Sequence, residues 1–215
     1  MEKSILTVFG HHESEKIIEK SKFLTYSAHV ESEEEARAFI ANIRSIHSLA
    51  TPGCYAFIAD KLGNLQRFSD DGEPQGTAGV PILDVLKNKK LFETAVVVVR
   101  YFGGIKLGAG GLVRAYSSSA AENLAGADIR SLEMCVQIQI TLDYTGIDSV
   151  QKYLSTHPCS LLSCNYGEKV SFVVAVKKLE VDAFETSLID YMQGRVDVQR
   201  DGEYYSLFEV TSPQA

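Results

Sequence analysis

Residues 95–123 read AVVVVRYFGGIKLGAGGLVRAYSSSAAEN, and this stretch decides the architecture of the first half of the chain. It begins with the unbroken apolar run 95–99, closed by Arg100. A short β-branched run flanked by polar residues predicts a strand buried on both faces. Five glycines follow (Gly103, Gly104, Gly108, Gly110 and Gly111), with Lys106 among them. Leu112, Val113, Tyr116, Ala120 and Leu124 then keep helical spacing, and the small residues 117–121 allow that helix to pack closely. Strand, glycine loop and helix in succession offer free backbone N–H groups and the positive end of a helix to an anion. No Gly-Lys-Ser/Thr occurs, so this is not a Walker loop, and there is no clean GxGxxG. Two readings stand at this level. Arg100, Lys106 and Arg114 surround a phosphate cradled by loop N–H groups, or the glycines serve tight turns and close helix–sheet packing.

Upstream, residues 69–79 (SDDGEPQGTAG) form a polar loop too glycine-rich to be regular. Asp70, Asp71 and Glu73 lie within four positions, followed by Pro74, Gln75, Gly76 and Thr77. Three carboxylates on a loop can hold Mg²⁺ or act as general acid and base. The same residues also serve as turn formers and as acidic neighbours of a helix start. The histidines show no ligand spacing: His11 and His12 sit in a polar segment, and His29, His47 and His157 are scattered. Ser117, Ser118 and Ser119 lie inside a predicted helix without a GxSxG elbow. Tyr101 and Phe102, beside the glycine loop, suit stacking on a base or a partner.

The rest of the chain supplies the frame. Residues 1–7 read as a frayed start or edge strand, and 13–30 as two strands with a turn near 20–22. Ser32 with Glu35 is a capping-box pattern, and Ala36, Phe39, Ile40, Ile43 and Ile46 mark one helix face. Residues 54–59 and 65–68 read as a hairpin. Pro81 opens a helix using Ile82, Leu83, Val85 and Leu86, which ends in Lys87, Lys89 and Lys90. Composition shifts near 126–131, where a domain boundary is placed. Met134, Val136, Ile138, Ile140 and Leu142 then alternate strictly with polar residues, the period of a half-buried strand. A helix over 147–154 and strands over 160–166 and 169–176 follow. A helix over 181–192, with Phe184, Leu188, Ile189 and Met192 inward, and a strand over 195–200 complete a β-α-β-β-α-β order, with 204–210 as a further strand. That order is the ferredoxin-like pattern.

The 215 residues, 45% hydrophobic and 23% charged, have an ordinary globular composition and can bury a core without metals or disulfides. No apolar run approaches the roughly 20 residues of a membrane helix. The start, MEKSILTVFGHHESEK, has no signal-peptide core, so a cytoplasmic location is expected. Cys54, Cys135, Cys159 and Cys164 form no CxxC pair and read as buried thiols rather than disulfides or zinc ligands. Before Ser131 there are 15 Lys+Arg against 16 Asp+Glu, a net −1; after it, 6 against 12, a net −6. Any contact with a phosphate backbone must therefore come from a local patch in the first half.

Two strings, SDDGEPQGTAGVPIL (69–83) and VVVVRYFGGIKLGAGGLVRAY (96–116), resemble the signature of the Impact/YigZ family. The second half, with Tyr144-x-Gly146 at its start, resembles the small C-terminal domain of the bacterial members. The resemblance implies two domains, 1–130 and 131–215. The first resembles a ribosomal-protein domain and domain IV of elongation factor G; the second resembles domain V of that factor and is ferredoxin-like. It also implies a translation-linked or nucleic-acid-binding role and brings no established reaction. One departure stands out: the family usually has Ala-x-His-x-Cys, and here Pro52 occupies the His position of Ala50-Thr51-Pro52-Gly53-Cys54.

The favoured reading is a non-enzymatic regulatory protein that binds RNA, the ribosome or a translation factor. Its expected binding residues are Arg100, Tyr101, Phe102, Gly103, Gly104, Lys106, Gly108, Gly110, Gly111 and Arg114. Asp70, Asp71, Glu73, Pro74, Gln75 and Thr77 form the expected recognition loop. The two loops should lie side by side on one face of the first domain, pairing Arg/Lys with Asp/Glu. The alternative is an enzyme that holds a phosphorylated or nucleotide substrate at the glycine loop and a metal at the acidic loop; a third reading is a protein-only adaptor. No catalytic residue, cofactor, resident metal or membrane partner is expected in the favoured reading.

Overall fold

The computed structural model describes residues 5–48 and 51–209, without the side chains of residues 51, 52 and 209. In chain order the strands and helices are β1 (Ile5–Val8), β2 (His11–Ile18), β3 (Ser21–His29), α1 (Glu33–Ile46), β4 (Thr51–Ile58), β5 (Gln66–Ser69), α2 (Gly79–Lys89), β6 (Thr94–Tyr101) and α3 (Gly108–Gly126). They continue as β7 (Ile129–Leu142), α4 (Ile147–Thr156), β8 (Ser160–Tyr166), β9 (Val170–Lys177), α5 (Val181–Tyr191) and β10 (Asp197–Glu209). The fold is mixed α+β, with two antiparallel sheets. The chain divides into two compact units, with the break between Ser131 and Leu132.

The apolar run forms the middle of the first sheet, whose order is β2-β3-β6-β4-β5. β6 pairs antiparallel with β3 (Leu24 opposite Val99) and with β4 (Cys54 opposite Val98). It is buried along seven of its eight residues because helices cover both faces. Val96 and Val98 pack with Ile82 and Leu86 of α2 and Leu112, Tyr116 and Ala120 of α3. Ala95, Val97 and Val99 point the other way, onto Ala36, Ile40 and Ile43 of α1. This three-layer arrangement explains why the run carries no polar alternation.

The predicted cap of α1 is present: Glu35 N–H donates to Ser32 Oγ at 3.2 Å, and Glu35 Oε2 accepts from Glu31 N–H at 2.8 Å. Ile46, placed on the inner face by spacing, is instead 62% exposed at the helix end. The turn between β2 and β3 falls at Glu19-Lys20, both at positive φ (45° and 64°). β2 begins already at His11, so the polar N-terminal segment is an edge strand with one face half-covered. Residues 1–4 of the predicted frayed start lie outside the described residues.

In the second unit, β7, α4, β8, β9, α5 and β10 give the strand order β10-β7-β9-β8. The alternating residues Val136, Ile138, Ile140 and Leu142 face Val150 and Tyr153 of α4 and Phe184 and Leu188 of α5. Both helices thus pack into one apolar cluster with one sheet face, which is what strict period 2 requires. Ile189 is 40% exposed rather than inward. The two predicted C-terminal strands are one, β10, with Gly202 at φ 102° inside it; Val210 lies outside the described residues. All four cysteines are free; Cys54 and Cys135 are buried, whereas Cys159 and Cys164 are only partly so. No described helix is long and apolar enough to cross a membrane.

Candidate functional site

The acidic loop is bound into the scaffold. Asp70 Oδ2 accepts from Gly76 N–H (2.8 Å), and its Oδ1 accepts from Ala78 N–H (2.9 Å) and Gly79 N–H (2.8 Å). Asp70 therefore caps the start of α2 from nine residues upstream. Burial alone would raise its pKa, but the three N–H donors outweigh burial and hold the carboxyl below its ordinary value. Asp71, at φ 43°, accepts from Gly53 N–H at 2.9 Å and pairs with Arg44 at 2.8 Å. Thr77 is buried and donates its hydroxyl to the Pro74 carbonyl. Pro74, Gln75 and Gly76 form the exposed tip.

Glu73 turns inward. Its Oε1 accepts from Arg100 Nη1 at 2.8 Å and from Tyr116 Oη at 2.9 Å, so it fastens β6 to α3. The Arg100 and Glu73 side chains are each 10% exposed. The guanidinium also donates to Ser21 Oγ at 3.3 Å and lies over the Phe23 and Phe102 rings. Arg100 is thus committed to the interior and is not presented to a partner. The two loops do meet, through Arg100 and Glu73, but the meeting point is a buried joint rather than an open surface. Beside it, burial pushes the Cys54 thiol up to about 12, and burial also raises the Tyr116 phenol, so both stay protonated near neutrality.

Tyr101 leaves the group for a geometric reason. Successive strand residues point to opposite faces, so Tyr101 faces α1, where its hydroxyl lies 2.8 Å from His47 Nδ1. His47 Nε2 lies 2.7 Å from Tyr26 Oη, which makes the imidazole a bridge between two tyrosines. Tyr101 is therefore a packing residue of the α1 face.

What remains forms an open cleft of about 520 Å³, lined by Ile18, Glu19, Ile105, Lys106, Gly111 and Arg114 with their neighbours. Lys106 and Arg114 are exposed, and their side chains have no hydrogen-bond or ion-pair partner among the described residues. The cleft lies at the start of α3, whose N-cap residue Leu107 supplies no side-chain acceptor and whose first turn holds no acidic residue. Its N-terminal N–H groups and dipole are therefore left for an outside anion. Phe102 is 55% exposed at the entrance to the loop.

The glycines divide by cause. A Cβ on Gly103 would lie 2.0 Å from the Lys20 carbonyl carbon, so only glycine fits beside the β2–β3 turn. Gly104 and Gly108 have positive φ (86° and 68°). Gly110 has neither a positive φ nor any atom within 4 Å of an added Cβ, so the fold does not require it. The approach of the β2–β3 turn to Gly103 also brings Lys20 to the loop, a third exposed cation. Its contribution was hidden because it lies far away in the chain. The neighbouring Lys16 and Lys22 are paired with Glu122 and Glu15. A separate hollow in the second unit, about 460 Å³, mixes Asp143, Lys169, Arg195 and Asp197 and has no single charge character. The side chain of Pro52, at the family's His position, lies outside the described residues.

By fold this is a mixed α+β protein on two antiparallel sheets, with an uncapped, cation-lined cleft in its first unit. Comparison narrows that class. The Impact N-terminal domain matches residues 19–124, and a domain of unknown function (DUF1949) matches 140–195. IMPACT family member YvyE of Bacillus subtilis (strain 168) is 39% identical over 200 residues, covering 93% of this chain and 92% of that protein. IMPACT family member YigZ of Escherichia coli (strain K12) is 33% identical over 183 residues, covering 84% and 90%. A solved structure titled "Crystal structure of an hypothetical protein" superposes with a TM-score of 0.61 at 31% identity, covering 92% of this chain and 97% of that one. The chain belongs to the IMPACT family.

Proposed function

We propose that this chain is a non-enzymatic, translation-linked regulatory protein that binds single-stranded RNA, free or within a ribosome, through the cleft at the start of α3. Lys106, Arg114 and Lys20 contact phosphates, the N-terminal N–H groups of α3 take one phosphate, and Phe102 stacks on a base. The observation that carries this reading is the contrast between cations. Arg100 and Arg44 are bound by Glu73 and Asp71, whereas Lys106 and Arg114 face the cleft with no ion-pair partner among the described residues, although Glu19 also lines it. The acidic loop is a brace for this surface, not a recognition element.

An enzymatic reading with a metal at that loop has less support. Asp70 spends both oxygens on backbone donors, and Glu73 turns inward to Arg100 and Tyr116. For the second unit we favour the ferredoxin-like assignment, supported by the order β10-β7-β9-β8 with two helices packed on one sheet face. We place the protein in the cytoplasm.

The test is fluorescence anisotropy with a labelled mixed-sequence single-stranded RNA across a salt series. Affinity should fall steeply with salt, and Lys106→Gln/Arg114→Gln should reduce the log–log slope by about 1.4, at roughly 0.7 per phosphate contact. A flat salt dependence, or an unchanged slope in the double variant, would sink the proposal.

A further inference from the structure

The first unit holds a second group of chemistry-bearing side chains, to which the RNA reading gives no role. His29 ends β3, Glu31 follows it, and Glu93 precedes β6. One ligand atom from each lies within 4.8 Å of the other two. Glu93 is 1% exposed, with φ 48°. Its Oε1 pairs with Lys61 Nζ at 2.7 Å, while its Oε2 is buried with no hydrogen-bond partner. A buried carboxylate oxygen without a donor is costly, and native folds seldom keep one without a reason.

The hydrogen bonds around His29 sharpen the point. Thr7 Oγ1 lies 3.1 Å from the Glu93 carbonyl, to which it can donate, and 2.8 Å from His29 Nδ1. With its single hydrogen on that carbonyl, Thr7 accepts from His29 Nδ1–H and Nε2 holds a lone pair; with it on Nδ1 instead, Nε2–H donates to Glu31. Nε2 stands 3.1 Å from Glu31 Oε1. In the tautomer with the lone pair on Nε2, a cation between that nitrogen and the Glu31 carboxylate is held by both. Such a cation, bound also by Glu93, would relieve the unpartnered Oε2.

We propose that His29 Nε2 and the carboxylates of Glu31 and Glu93 form a binding site for a divalent metal ion, and that zinc is the ion the site suits. One imidazole and two carboxylates are a borderline nitrogen/oxygen set, and three protein ligands leave the fourth position to water. Zinc bonds of roughly 2.0–2.2 Å place tetrahedral ligand atoms about 3.3 Å apart. The Glu31 side chain, 62% exposed, can swing to close that gap while His29 and Glu93 stay in place. Lys61, 31% exposed, neutralises Glu93 without the metal and withdraws toward solvent when it binds. Bound there, zinc would join the end of β3 to the start of β6, with Thr7 of β1 orienting the imidazole.

Isothermal titration calorimetry of the chelator-treated full chain with zinc chloride tests this. The expected result is one-to-one binding, weakened at least tenfold in His29→Gln and in Glu31→Gln and unchanged in His12→Gln. No heat in the parent chain, or binding that survives in both His29→Gln and Glu31→Gln, would overturn the proposal; zinc on surface histidines or thiols gives the latter result. Because Glu93 is buried, a second variant avoids it: Lys61→Met removes the competing ammonium. Zinc should raise the Tm of Lys61→Met more than that of the parent, and an equal or smaller rise would count against the site.

Discussion

Replacing Glu73 with alanine should be among the most damaging single changes in the first unit. Glu73 Oε1 is the common acceptor for Arg100 and Tyr116, at 2.8 and 2.9 Å. Removing it leaves a guanidinium that is nine-tenths buried without its carboxylate. Breaking one side of a buried pair costs about 3–5 kcal/mol, and an orphaned buried hydroxyl belongs to the same loss at about 1–3 kcal/mol. These overlap, so about 4 kcal/mol is expected. The cost lies mainly in stranding the partner, so Arg100→Met in the Glu73→Met background should cost less than Glu73→Ala alone. Native-state hydrogen exchange at the Val97 and Val98 amides reads the opening energy of the first unit without interference from the second. A loss under about 1 kcal/mol in Glu73→Ala, or a double variant as damaging as the sum of its singles, would refute the reasoning.

Three further outcomes follow from the same geometry. Asp70→Ala should destabilise the first unit by about 2 kcal/mol, the upper range for a helix cap. Because the Asp70 carboxyl is held below its ordinary pKa, its stabilisation is complete above about pH 4 and is lost as the pH falls below that. Acid titration of stability in Asp70→Asn should lack that share of the loss. Gly103→Ala should fold poorly because of the backbone behind it, whereas Gly110→Ala should gain about 0.5–1 kcal/mol in thermal unfolding and weaken RNA binding. Native Cys54, buried and with its pKa near 12, should resist iodoacetamide at pH 8 until the protein is denatured, as mass spectrometry would show.

Much of the fold was legible because burial writes a period into sequence. The run 95–99 reads as a strand covered on both faces and the alternation from Met134 to Leu142 as a one-sided one, although Met134 is only partly buried and Cys135, on the opposite face, is fully buried. Errors fell where spacing has no depth information: Ile46, Val113 and Ile189 keep helical register but sit at the margins of their faces, 62%, 38% and 40% exposed. Gly202 reads as a break between strands because a positive-φ residue inside a strand carries the same letter as a turn. The site was legible in part. Lys106 and Arg114 come together as spacing suggests, but grouping Arg100 with Tyr101 ignored that strand neighbours face opposite ways. The work of Asp70 was hidden because the helix it caps begins nine residues later, across a loop. The trio of His29, Glu31 and Glu93 joins residues that only sheet pairing brings together.

The most direct measurement is amide chemical-shift mapping of the isotope-labelled chain titrated with single-stranded RNA at low salt. If the cleft at the start of α3 is the binding surface, shifts will concentrate at Lys20 and residues 102–114, with the tip amides of Gln75 and Gly76 nearly silent. Shifts centred on the second unit or on the 74–76 tip, or none at all, would contradict it.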